Sequence, residues 1–103
     1  MAKNINMALK SVYFDSINRG TKTTEYRDMT DYYIDKLVDK SHYEGMSNEE
    51  IKQHLIKGGR LYWVKYDTIT FHNNGRVLKM RINDIAVYEH HNTFAIKLGK
   101  RIS

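Results

Sequence analysis

The hydrophobic period of this chain changes at Gly58-Gly59, and that change limits the folds open to it. Ahead of the glycine pair, Tyr33, Ile34, Leu37 and Val38 fall on one helical stripe, and Ile51, Leu55 and Ile56 on another. From residue 61 the period becomes two: Leu61 and Trp63 alternate with Tyr62 and Val64. The alternation continues through Ile69 and Phe71, and again through Leu78, Met80 and Ile82. Asn73-Asn74-Gly75 between these runs is a hairpin turn signal. Ile85 to Glu89 and Phe94 to Leu98 read as a further strand pair across a turn at His90–Thr93, with Phe94, Ile96 and Leu98 inward.

The N-terminal part mixes both periods. Met7 and Leu9 alternate with Ala8 and Lys10, which predicts a short first strand. Phe14 and Ile17 stand at i,i+3, which predicts two helical turns stopped by Gly20 in a left-handed conformation. Thr21 to Tyr26 is rich in β-branched and aromatic residues and reads as a strand. Asp28 or Thr30 caps the next helix, Lys40 to Met46 is a polar loop, and Ser47 with Glu50 forms a capping box for the third. The order is strand, helix, strand, two helices, then about four antiparallel strands. The predicted class is mainly β with flanking helices (α+β), as a small barrel rather than a parallel sheet, in one domain over residues 1–103.

Composition narrows the partners. Seventeen basic side chains against twelve acidic ones give a formal charge of +5, which favours anionic ligands such as nucleic acid and also serves solubility. The acids gather before residue 51, whereas residues 60–81 carry Arg60, Lys65, Arg76, Lys79 and Arg81 against Asp67 alone. There is no cysteine, so disulfides and thiolate zinc sites are excluded, in keeping with a reducing cytoplasm. No apolar run has the length of a membrane span, and the N-terminus has no apolar signal-peptide core, so a cytoplasmic protein without membrane contact is expected.

Gly20-Thr21-Lys22-Thr23-Thr24-Glu25-Tyr26-Arg27 concentrates a lysine, three hydroxyls, a carboxylate and a guanidinium. Read as a strand from Thr23, it sets Thr23, Glu25 and Arg27 on one face, with Thr24 and Tyr26 on the other. A Lys beside a Glu shuttles protons when burial tunes both groups. Arg27 carries a donor fork suited to a phosphate or a base edge. The plain structural alternative is a Glu–Arg pair locking the strand to a loop, with Lys22 solvated.

Leu9-Lys10, Tyr13-Phe14-Asp15-Ser16-Ile17, the Gly20–Arg27 stretch, Tyr66-Asp67-Thr68-Ile69 and Phe94-Ala95-Ile96-Lys97-Leu98-Gly99-Lys100 together resemble the ASCH family. Its members are β-barrels related in fold to the PUA RNA-binding domains. The likeness spans about residues 7–102, and Gly-x-Lys-Thr-x-Glu-x-Arg is its most specific part. The resemblance implies a basic cleft for RNA, a nucleotide or a modified nucleoside, lined by this motif and needing no cofactor. Lys22, Thr24, Glu25, Arg27, Tyr32 and Arg81 are the expected ligand contacts. Some relatives are amidohydrolases acting on N4-acylcytidine, in which a Thr nucleophile works with the motif Lys; here Lys22 matches, and Glu25 stands where that Thr would be. Other relatives are metal-independent ribonucleases using Lys, Tyr and Ser. The hydrolase alternative therefore rests on Lys22, Glu25 and Tyr26, with Tyr32 and Tyr66 as further phenols.

Tyrosine, of which there are eight, divides between core edge and cleft, and Tyr26 and Tyr32 lie nearest the motif. His42, His54, His72, His90 and His91 have no metal-ligand spacing, and His90-His91 reads as a solvated turn, so no metal is expected. No nucleophile elbow or phosphate-cradling glycine loop is present; Gly58-Gly59 is a helix stop and Trp63 a core or cleft wall.

Overall fold

The computed structural model describes residues 3–88 and 92–103. Among the described residues five strands and three helices follow in the order β1 (Asn4–Ala8), α1 (Ser11–Asn18), β2 (Thr24–Asp28), α2 (Asp31–Leu37), α3 (Asn48–Ile56), β3 (Thr68–Asn73), β4 (Arg76–Tyr88) and β5 (Thr93–Arg101), with a 3₁₀ turn at Lys40–His42. The fold is α+β, and its one sheet runs β1-β3-β4-β5-β2. The sheet is mixed. β1 pairs parallel to β3, Ile5 opposite Ile69 and Met7 opposite Phe71, whereas β3 and β4 pair antiparallel.

Contacts divide the chain into two compact units. The first takes the chain up to Glu25, Lys65–Asp84 and Ile96–Ser103; the second takes Tyr26–Val64 and Ile85–Ala95. In the first, Ile5, Met7, Ile69, Phe71, Leu78 and Met80 are buried on one sheet face, and α1, whose Phe14 and Ile17 are buried, packs on β3. At the hairpin, Asn74 and Gly75 have φ of 47° and 83°, the two positive values that a type I′ turn demands. Asn73 fastens its base, donating from Nδ2 to the Leu9 carbonyl at 2.9 Å. Arg76 runs from Asn73 to the Asp15 carboxylate at 2.7 Å and lies over the Phe14 ring, tying α1 to the turn.

The second unit is built on helix ends. Thr30 caps α2 by accepting from the Tyr33 N–H, and Ser47 with Glu50 closes a reciprocal capping box on α3. Ile34, Leu37, Ile51 and Leu55 are fully buried where the two helices pack. Tyr43, buried beyond the 3₁₀ turn, accepts from the Tyr62 N–H at 2.9 Å and donates to the Arg60 carbonyl at 2.5 Å.

Four sequence expectations are revised. The Thr-rich strand begins at Thr24 rather than Thr21, because the backbone of Thr21 and Lys22 is held by α1. Leu61–Val64 is no strand: two backbone hydrogen bonds, Asp39 N–H to the Tyr62 carbonyl and Val64 N–H to the Leu37 carbonyl, make one isolated bridge between Trp63 and Val38 and no ladder. Ile85–Tyr88 continues β4, which runs for 13 residues, instead of opening a new strand. The parallel β1–β3 pair was also not expected. The predicted turn at His90-His91 lies outside the described residues. Phe94, Ile96 and Leu98 are buried as expected, joined by Thr93 and Ala95.

Candidate functional site

The loop that carries Lys22 is shaped by the end of α1. Gly20 has φ +81°, and a Cβ there would meet nothing within 4 Å; the left-handed backbone, not lack of room, favours glycine. The Ser16 carbonyl then accepts from the N–H groups of Thr21 and Lys22, at 3.0 and 3.1 Å, and from the Thr21 hydroxyl at 3.1 Å. At the loop exit the Thr23 carbonyl accepts from the Leu98 N–H at 2.9 Å, which fastens the motif to β5. Lys22 is thereby held between a helix end and a strand.

From this frame Lys22 Nζ lies 3.4 Å from Glu25 Oε1. The Glu25 side chain is 7% exposed and that of Lys22 is 21% exposed. The Tyr13 ring of α1 lies 5.3 Å from the same ammonium, within cation–π range. A buried carboxylate is stable as an anion only when paired or hydrogen-bonded, and Lys22 supplies that charge. The pair presents an acceptor and a donor side by side. Tyr13 is the member that sequence reasoning missed: its place on α1 next to Phe14 gives no sign that its ring turns toward Lys22.

The other expected residues are divided between the two units. Thr24 is half-buried at the start of β2, and Arg81 is exposed on β4; both belong to the first unit. Tyr26, Arg27 and Tyr32 belong to the second. There Arg27 donates from an η nitrogen to the Tyr33 hydroxyl at 2.7 Å, with its guanidinium 5.5 Å from that ring. Tyr32 meets Tyr33 edge-on and lies under Lys36. Tyr26 packs edge-on against Tyr88, and both are well exposed. Two pairings are described at the strand, Glu25 with Lys22 and Arg27 with Tyr33.

Burial pushes the Tyr66 phenol above its ordinary value, which opposes its use as a base near neutrality. Among the described residues, no group of three or more His, Asp and Glu side chains is placed to hold a metal ion. None of the described helices is long and apolar enough to cross a membrane. No protein family matches this chain, and neither a curated protein nor a solved structure matches it.

Proposed function

We propose that this chain is an ASCH-type, PUA-like domain that binds RNA or a nucleotide-like or modified-nucleoside ligand at the Gly-x-Lys-Thr-x-Glu-x-Arg stretch. The observation that carries the reading is the Lys22–Glu25 pair, a 7%-exposed carboxylate beside a partly exposed ammonium 3.4 Å away. Base edges present hydrogen-bond donors next to acceptors. Glu25 complements an amino or imino N–H, and Lys22 complements a ring nitrogen or carbonyl oxygen. A pair that served packing alone would gain little over an apolar replacement of the same volume. The net charge of +5 favours a ligand that also carries phosphate.

The test is binding of a short single-stranded RNA and of N4-acetylcytidine to wild type and Lys22→Ala, with product analysis of each mixture. Salt-sensitive binding without turnover, lost in Lys22→Ala, supports a binding domain. Turnover abolished by the same change makes it a hydrolase instead. If the variant is less stable but binds like wild type, the pair is structural and the proposal fails.

A further inference from the structure

The sheet of the first unit buries one face and leaves the other in water. Asn4 and Asn6 of β1, Thr70 and His72 of β3, Lys79 and Arg81 of β4, and Lys97 of β5 point away from the buried residues that alternate with them. The register aligns this face: Asn6 opposes Thr70, Thr70 opposes Lys79, and Thr68 opposes Arg81. On its β1–β3 side the polar groups are fixed. The Asn4 side-chain oxygen accepts from Thr68 and Thr70 at 2.8 and 3.0 Å, and His72 Nε2 lies 2.9 Å from Asn6 Oδ1.

The β4–β5 side is cationic. Among the described residues, Lys79, Arg81 and Lys97 have no carboxylate within ion-pair distance. By contrast, Arg76 at the hairpin is paired with Asp15, and Lys22 with Glu25. Lys79 and Arg81 stand two residues apart on one strand, a spacing of about 6.8 Å. Gly99 of β5 sits directly against Asn83 of β4, where a Cβ would come within 2.3 Å of the Asn83 amide oxygen. Ile102 and Ser103 hydrogen-bond to Lys79, so β5 returns antiparallel along β4, and Lys97, two residues from Gly99, extends the line of cations beyond Asn83.

We propose that this face is a second binding surface, one that tracks the phosphodiester backbone of a single-stranded nucleic acid. Polynucleotide backbones are held by Lys and Arg together with polar side chains such as Asn, and this face offers Lys79, Arg81 and Lys97 with the Asn4 and Asn6 amides. Val77, at the hairpin end, is the exposed apolar residue opposite His72, so the surface has little apolar area with which to bury a protein partner or enter a lipid interface. The choice of a single strand rests on the base-edge reading of Lys22 and Glu25, since only an unpaired base reaches such a pair. The backbone surface itself does not.

The experiment measures the anisotropy of a labelled oligouridylate about twelve nucleotides long. Wild type is compared with the triple variant Lys79→Gln/Arg81→Gln/Lys97→Gln and with Lys22→Ala across a salt series, with uridine monophosphate and anionic phosphatidylserine vesicles as separate probes. Loss of three phosphate contacts is expected to lower the slope of log K against log salt by about 2, with uridine monophosphate binding unchanged. Oligomer binding that survives Lys22→Ala but falls in the triple variant supports this surface and removes the base-edge reading. Binding lost in Lys22→Ala with an unaltered slope in the triple variant does the reverse. Vesicle binding without oligomer binding overturns the surface proposal, as does an oligomer that fails to bind wild type. Thermal unfolding of the triple variant near the wild-type midpoint excludes misfolding, and Arg81→Glu alone provides a second variant expected to weaken oligomer binding further than Arg81→Gln.

Discussion

Lys22 Nζ and Glu25 Oε1 are 3.4 Å apart, and the carboxylate is the more deeply buried partner. That asymmetry fixes what each substitution should do. Removing the lysine takes an ion-pair partner from the more buried group, whereas neutralising the glutamate leaves an ammonium that still reaches water. Lys22→Ala should therefore destabilise by about 1–3 kcal/mol, and Glu25→Gln by less. Urea unfolding at neutral pH measures both, and an equal loss for the two would contradict the assigned asymmetry.

Tyr13 holds Lys22 through its ring rather than its hydroxyl. Tyr13→Phe should leave the lysine in place. Tyr13→Leu should free it at a cost of about 0.5–1 kcal/mol and raise the rate at which Lys22 is acetylated by acetic anhydride. Mass spectrometry of the labelled peptide gives that rate; equal labelling in the Phe and Leu variants would show that the ring does not restrain the ammonium.

Tyr43 joins the segment after α2 to the segment before β3 through one oxygen. Tyr43→Phe leaves the Arg60 carbonyl and the Tyr62 N–H without that partner, and a loss of about 1–3 kcal/mol is expected. Hydrogen exchange at the Tyr62 amide should accelerate in parallel. Burial holds the Tyr43 phenol above its ordinary value, so the bond to Arg60 keeps its proton at neutral pH.

Gly99 leaves room for the Asn83 side chain, and its φ lies outside the left-handed range. The Asn83 amide can swing aside, so Gly99→Ala should cost about 1 kcal/mol through overpacking, and much of that should return in the double variant with Asn83→Ala. Thermal unfolding of the two singles and the double closes the cycle. Additive losses would locate the strain elsewhere.

The capping box of α3 makes stability depend on acid. Hydrogen bonds from the Ser47 backbone and hydroxyl groups hold the Glu50 carboxyl below its ordinary value. A carboxyl lowered in the folded state contributes stability above its unfolded value and loses it as pH falls through the folded value. Wild type should exceed Glu50→Gln in stability at neutral pH, with the gap closing below about pH 4. Denaturant midpoints across that range test the sign.

Much of this architecture was legible in order. Local rules act within a few residues, so the cap at Ser47, the left-handed Gly20 and the Asn74-Gly75 turn could be read directly, and the cap of α2 was narrowed to Asp28 or Thr30. Leu61–Val64 misled because alternation records which side chains face inward, not whether a neighbouring strand exists to complete a ladder. The same limit hid the continuity of β4 and the parallel pairing of β1, both of which depend on partners distant in sequence.

The candidate site divides along the same line. By itself the sequence determined the residues of the Gly20–Arg27 stretch, their placement between a helix end and a strand, and the excess of positive charge. Only the tertiary structure decided their pairings: Glu25 with Lys22, Arg27 with Tyr33, and Tyr13 against Lys22. It also decided that Lys79, Arg81 and Lys97 lie along one wet sheet face, because β5 returns antiparallel along β4. Side-chain pairing energy depends on distance and burial, and chain order fixes neither until the sheet has closed its register.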